Sequence, residues 1–413
     1  MMLIRWLTSQ TFRHALTLRK HVRRLLAAQR DILAPQAASN LDRALADFNA
    51  VLASGADNQA LLLEMQKLED AANKWIKPYP HAAWRENIEV ILVAVGVAMA
   101  IRTFFIQPFK IPTGSMQPTL FGVTSDNLIN DPNFTIPTGL ARVKEWFEGI
   151  SYIHVVADQD GQLGQLGQFS NGLPLVFSEP KKFLIFNLRQ TYRFAGVEHT
   201  LWFPPDLGEA PLEYRALDQA NHLMLDPGHV YHKGEDILKM RVSAGDHLFV
   251  DRVTYNFRKP ERGEIIVFAT AGTKIEKQDE FYIKRLTVLP NERVQIGNDR
   301  HMIINGKRLD KTTPHFENVY GFDPATPPRE SHFSGHVNGV VAQQYNLYPN
   351  LAPLFPDQNT VFTNTGDNLM VFGDNTCNSS DSRYWGTLPA SNVIGKSFFV
   401  YWPFTSRFGW WNR

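Results

Sequence analysis

Apolar side chains recur at helical spacing through the first 75 residues and at strand spacing beyond residue 240, with one long apolar run between the two regimes. Over residues 1–33, Leu18, Val22, Leu25 and Leu26 fall on one face beneath a basic face, which predicts an amphipathic helix ended by Pro35. Leu41, Leu45, Phe48 and Leu52 repeat the spacing, as do Leu61, Met65, Leu68 and Ala72. The turn residues Ser54-Gly55-Ala56-Asp57 lie between these two sets, so residues 40–75 are expected to form an αα-hairpin.

From Ile88 to Ile106 the chain reads IEVILVAVGVAMAIRTFFI. That is close to the roughly 20 apolar residues a membrane-spanning helix needs. Glu89 and Arg102 stand near its two ends, where each side chain can reach an interface. A buried core helix would need apolar cover on every side. A signal peptide has local support, since Lys77 and Arg85 precede the run and Ala98-Met99-Ala100 offers a small-x-small site, but the position near residue 90 argues against it. One membrane span is the expectation. Residues 1–87 carry twelve Lys and Arg, whereas beyond Arg102 only Lys110 precedes Arg142. The excess places the N-terminus in the cytoplasm and everything after residue 106 outside. Residues 1–30 hold seven Lys and Arg side chains and no long apolar core, so no secretory signal is expected there.

The part after the span is expected to be mainly β. Short runs such as His247–Val250, Glu264–Phe268, Arg293–Ile296 and Leu369–Phe372 are bounded by Gly, Asp, Asn and Pro. They predict an antiparallel architecture with long inserted loops. Composition is ordinary for a globular chain of 413 residues, with 44% hydrophobic and 20% charged, and leaves room for two or three domains. A formal net charge of +1 offers no field for nucleic acid. The basic first helix lacks interleaved aromatics and reads as a solvated face, so no nucleic-acid partner is expected. Cys377 is the only cysteine, which excludes a disulfide framework.

Three stretches carry candidate chemistry. Phe109–Leu120 (FKIPTGSMQPTL) follows the span and sets Ser115 beside Gly114, outside any G-x-S-x-G or S-x-x-K pattern. Glu280–Pro290 (EFYIKRLTVLP) sets Lys284 in a strand whose alternation places Tyr282, Lys284 and Leu286 on one face. A lysine in an apolar site is desolvated, which favours the neutral amine that a base requires. Gly373–Gly386 (GDNTCNSSDSRYWG) is a dense polar run directly after an apolar strand, either a surface loop or a shell around a buried polar site. His229 and His232 form an H-x-x-H pair without a third ligand, so no metal site is assigned.

Taken together and in this order, with Gly245-Asp246 between them, these stretches resemble the type I signal (leader) peptidases of bacteria, which are Ser/Lys-dyad serine proteases. The resemblance covers residues 88–123, 237–296 and 363–404. It implies Ser115 as nucleophile and Lys284 as its base, with Ser379 orienting the lysine amine. The Ser115 N–H and the Thr113 hydroxyl would form the oxyanion hole, and Asp381 and Arg383 a supporting ion pair. Ile111, Met116, Leu120, Tyr282 and Ile283 would wall shallow pockets for small substrate side chains. It also implies preproteins with signal peptides as substrates, a lipid bilayer as surroundings and no cofactor.

Several positions depart from the family pattern. Thr113 stands for Ser, Val288 for Gly, Asn291-Glu292 for Gly-Asp, and Thr376-Cys377 for Arg-Asp, which puts some supporting ion pairs in doubt. The expected organisation is a helical region over 1–87, a span over 88–106, a catalytic β-domain from 107–123, 237–296 and 363–413, an inserted β-rich lobe over 124–236, and a second β-domain over 297–362. The closing Phe408–Arg413 reads as terminal packing or an aromatic contact with the membrane interface. Two rivals stand beside this reading: a Ser/Lys protease of related fold, and an inactive membrane-anchored scaffold.

Overall fold

The computed structural model describes all residues except 1–8, 78–81, 132, 185, 209, 217–224, 323–332, 348–349 and 411–413. The start of the expected first helix and the last three residues of the terminal aromatic segment therefore lie outside the described residues. The chain divides into two compact units, Met1–Val97 and Ala98–Arg413.

The first unit contains helices α1 (Gln10–Gln29), α2 (Pro35–Ser54) and α3 (Asn58–Trp75). Ser9 caps α1 by accepting from Phe12 N at 3.2 Å, and Asp57 caps α3 by accepting from Ala60 N at 2.8 Å. Their apolar faces meet in one core of Phe12, Val22, Leu26, Leu41, Leu45, Phe48, Leu52, Leu61 and Leu68. Pro35 opens α2, because a first-turn position needs no N–H, whereas α1 already ends at Gln29, before the proline expected to close it. The hairpin accordingly starts five residues earlier than residue 40. Gln29 is buried and exchanges two hydrogen bonds with the Lys77 backbone, at 2.8 and 3.0 Å, so its amide is satisfied.

Helix α4 runs over Ala82–Phe104, and its Trp84–Phe104 segment is 21 residues long and apolar enough to cross a membrane. None of that segment is buried by the protein. Its length and composition make it a candidate membrane span. The helix stops short of Ile106 because Ile106 opens a strand.

Among the described residues, the largest sheet of the second unit has eight strands, all paired antiparallel. Its main strands are β1 (Ile106–Lys110), β2 (His247–Asp251), β3 (Ile265–Ala269), β4 (Phe281–Val288), β5 (Asn368–Phe372) and β6 (Val393–Trp402). They lie in the order β1-β2-β6-β3-β4-β5. Only residues Arg285–Val288 of β4 pair with β5, so along Phe281–Lys284 the edge away from β3 has no partner strand among the described residues.

The stretch after residue 123 builds sheets of its own. Asp236–Ser243 pairs with Thr124–Asn127 on one side and Ile150–Val156 on the other. Its Leu238, Met240 and Val242 enter a core with Val123, Ile153, Val155, Phe177 and Phe194. The apolar face of this strand is therefore buried with the sheets that follow residue 123. A further sheet contains Arg293–Ile296, Met302–Ile304, Lys307–Arg308 and Phe362–Thr363. Its core takes in Val288 of β4 and Met370 and Phe372 of β5, which explains an apolar residue at 288. In the turn that follows, Asn291 adopts a left-handed φ of 63°, and Glu292 accepts from Leu289 N at 2.7 Å.

Candidate active site

The first side chain of the site follows from the end of β1. Ile111 N donates to Asp246 O at 2.9 Å, after which the chain leaves the sheet and turns through Ser115. Asp246 is fully buried; it accepts from Phe121 N at 2.8 Å and from Arg407 Nε at 2.8 Å, pinning both ends of this turn. Gly245 is required beside it, since a Cβ there would lie 1.9 Å from Ile111 O.

Lys284 comes from the middle of β4, opposite Ile266 of β3. Its Nζ donates to Ser115 Oγ at 2.8 Å, and each residue is only 5% exposed. The Nζ also lies 5.6 Å from the Tyr282 ring centroid. Tyr282 and Leu286 join one apolar core while Ile283 packs against another, as strand alternation requires.

The polar loop after β5 closes over this pair. Gly373 sits so tightly that a Cβ would fall 2.2 Å from Ser379 Oγ and 2.5 Å from Ser115 O. Its N–H donates to Asp381 Oδ2 at 3.0 Å. Asp381 and Arg383 form an ion pair at 2.9 Å with both side chains fully buried. Burial pushes the Asp381 carboxyl up, but the Arg383 charge and hydrogen bonds outweigh it and hold it below its ordinary value. Arg383 also donates to Thr376 Oγ1 at 2.7 Å and to Thr376 O at 2.9 Å. Thr376 Oγ1 in turn accepts from Val337 N at 2.9 Å, so threonine anchors the loop where an ion pair was in doubt.

A second buried ion pair starts at the residue after Lys284. Arg285 Nε donates to Asp374 Oδ1 at 2.8 Å, Arg285 Nη1 to Gly263 O at 2.7 Å, and Thr119 Oγ1 to Asp374 Oδ2 at 2.5 Å. It ties the segment after Ser115, the strand of Lys284 and the polar loop into one network. Sequence reasoning assigned no role to Arg285, Asp374, Thr119, Asp246 or Asn375. A charged residue beside each candidate group was the available signal, but nothing local tells a buried pair from a solvated one.

Other expectations meet the structure differently. Ser379 stands against Gly373, yet its buried Oγ has no hydrogen-bond partner among the described residues, so the expected bond to the lysine amine is not formed. Thr113 is exposed, with its backbone against Gly122. Ile111, Met116 and Leu120 are sealed in the core with Leu248, Val250 and Val267, so they do not present a pocket wall. Half-buried Tyr282 and Ile283 retain accessible surface beside Lys284. His229 pairs with Glu235 and His232 with Asp160, and no metal-holding cluster occurs among the described residues. Cys377 is half-buried.

His336 lies fully buried under the loop, edge-on to Phe372. Burial, helped by the Arg383 charge, lowers its pKa to about 4. An unfolded chain takes up that proton below about pH 6.5, while the folded one refuses it until about pH 4, so stability falls as pH drops through this window. Between pH 6.5 and 5, His336→Gln should remove about 2 kcal/mol of the acid-induced loss, from ~1.4 kcal/mol per pH unit. Urea unfolding of both forms at the two pH values tests this; parallel losses would refute it.

The family model described as "Signal peptidase, peptidase S26" matches residues 84–130 and 236–402, a little over half of the chain. The chain is 31% identical over 163 residues to "Probable signal peptidase I-2" of Synechocystis sp., covering 39% of this chain and 57% of that protein. It is 32% identical over 165 residues to "Signal peptidase I" of Leptolyngbya laminosa, covering 39% and 63%. The chain thus spans 57% to 63% of the length of these two relatives. A crystal structure of a signal peptidase I from Enterococcus faecalis shares 24% identity over 34% of this chain and 97% of that one. Its TM-score of 0.20 is too low to bear on the fold.

Proposed function

The chain belongs to the signal peptidase family, peptidase S26, and from that premise we propose that it is a membrane-anchored serine endopeptidase removing N-terminal signal peptides from exported preproteins. The observation that carries the reading is the buried 2.8 Å contact between Lys284 Nζ and Ser115 Oγ. A hydroxyl held against an amine in a dry site has the geometry of a nucleophile and its base.

In this mechanism the neutral Lys284 amine takes the Ser115 proton as Oγ attacks the scissile carbonyl carbon. The Ser115 N–H and the Thr113 hydroxyl hold the developing oxyanion. The intermediate collapses as Lys284 gives the proton to the leaving amine of the mature protein. Water, deprotonated by Lys284, then hydrolyses the ester and releases the signal peptide with a free carboxylate. The open edge of β4 along Phe281–Lys284 suits an extended peptide added as a further strand. Tyr282 and Ile283 beside it favour small side chains before the cut, and hence cleavage after small-x-small sites.

The twelve basic residues before the span favour an N-terminus in the cytoplasm and a catalytic unit on the outer face. Enzyme and substrate held in one membrane meet at raised effective concentration. The test incubates the purified full chain, in lipid, with a preprotein and reads the products by mass spectrometry. Cleavage after a small-x-small site, abolished in Ser115→Ala, supports the reading; a folded but silent wild type, or an active Ser115→Ala, refutes it.

A further inference from the structure

The buried groups around Ser115 include one that the mechanism above leaves without a task. Asn375 is fully buried in the polar loop, and both of its N–H groups reach the nucleophile segment. Its Nδ2 donates to Gly114 O at 3.0 Å, and its backbone N–H donates to Ser115 O at 3.1 Å. Gly114 O also accepts from Gln117 N at 3.1 Å. The two carbonyls flanking the nucleophile's Cα are therefore both drawn into the protein by one asparagine.

The Gly114 carbonyl and the Ser115 N–H belong to the same peptide unit. In a trans peptide they lie in one plane and point in opposite directions. Holding the carbonyl inward on Asn375 and Gln117 aims the Ser115 N–H the other way. That N–H is the proposed oxyanion donor, and it meets no protein acceptor among the described residues. Glycine at 114 has the backbone freedom to let this peptide turn over, so its orientation must be imposed from outside.

We propose that Asn375 is a positioning residue for the oxyanion hole, acting through the Gly114 carbonyl to keep the Ser115 N–H aimed at the substrate. This inference rests on the peptidase reading. Asn375 touches no reacting atom; it prevents a peptide flip that would replace an oxyanion donor with a repelling carbonyl oxygen. Catalytic donors of this kind act in the transition state more than in the ground state, so their loss appears in kcat.

The experiment compares wild type, Asn375→Ala and Asn375→Asp on a preprotein with the full chain in lipid. Aspartate keeps the shape and the backbone bond but cannot donate to Gly114 O. Both variants should lose about 10²-fold in kcat, with KM within about twofold, as for removal of one oxyanion donor. Thr113→Val combined with Asn375→Ala should cost less than the product of the two single losses, because both act on one hole.

A folded Asn375→Ala that cuts at the wild-type rate overturns the proposal, as does a loss confined to KM or one fully multiplicative with Thr113→Val. Should both variants fail to fold, the wild-type chain reacted with a peptide boronate supplies the decision. A crystal structure should place a boronate oxygen on the Ser115 N–H while Gly114 O stays on Asn375; a reversed peptide overturns the assignment. If wild type does not cleave, or Ser115→Ala still does, the peptidase reading itself fails. An inert Ser115→Ala beside a fully active Asn375→Ala removes only the role of Asn375.

Discussion

Lys284→Ala is expected to lower kcat/KM for preprotein cleavage by about 10⁴-fold or more, which corresponds to roughly 5 kcal/mol of transition-state stabilisation. Lys284 is the residue that hydrogen-bonds Ser115 Oγ, and the pair is shut away from bulk water. Without the amine, nothing at that position takes the serine proton, and an unactivated hydroxyl is a weak nucleophile. Lys284→Met fills nearly the same space without a base and should be equally inert, so collapse of the site is not the cause. Both variants should retain the wild-type unfolding midpoint within a few degrees. A Lys284→Ala or Lys284→Met chain that cleaves within tenfold of wild type would remove Lys284 from the chemistry.

Asp374→Ala should be the most damaging single change to the fold around the site. It would leave the guanidinium of Arg285, which is 1% exposed, buried without its carboxylate. Breaking a buried pair from one side typically costs about 3–5 kcal/mol, because the remaining charge keeps only neutral acceptors such as Gly263 O and no carboxylate to balance it. Thr119 would lose its acceptor in the same step. Replacing both partners with apolar groups of similar volume, as in Arg285→Met with Asp374→Leu, leaves no orphaned charge and should cost less than Asp374→Ala alone. Chemical unfolding of the full chain followed by tryptophan fluorescence measures both. An Asp374→Ala loss below about 1 kcal/mol would mean that Arg285 reaches water or a second carboxylate. Because the network joins the Ser115 turn to β4, activity should fall with stability in the single variant and partly return in the double one.

Much of the chain's organisation was legible before any coordinates. The period of apolar side chains announced α1 to α3 and the apolar helix, since burial of a stripe is written into local spacing. Short apolar runs between turn residues marked β2, β3 and β5, and alternation in β4 put Tyr282 and Leu286 on one face with Lys284. Boundaries slipped where local signals were ambiguous. Pro35 opens a helix rather than closing one, and the strand Asp236–Ser243 packs its apolar side chains into the core that follows residue 123.

What the sequence determined by itself is therefore the kind of element at each place and the presence of a serine, a lysine and a dense polar loop in a telling order. Spacing along the chain sets which side chains share a face, and that information is local. Only the tertiary structure decided which of them meet. The 2.8 Å contact between Lys284 and Ser115, the pairing of Arg285 with Asp374, and the grip of Asn375 on Gly114 and Ser115 join residues between 89 and 261 positions apart. Their partners are chosen by strand order and by the cost of leaving a desolvated polar group unpaired. The same packing turned Ile111, Met116 and Leu120 inward and gave Arg383 a threonine to hold, choices that no neighbouring residue could announce.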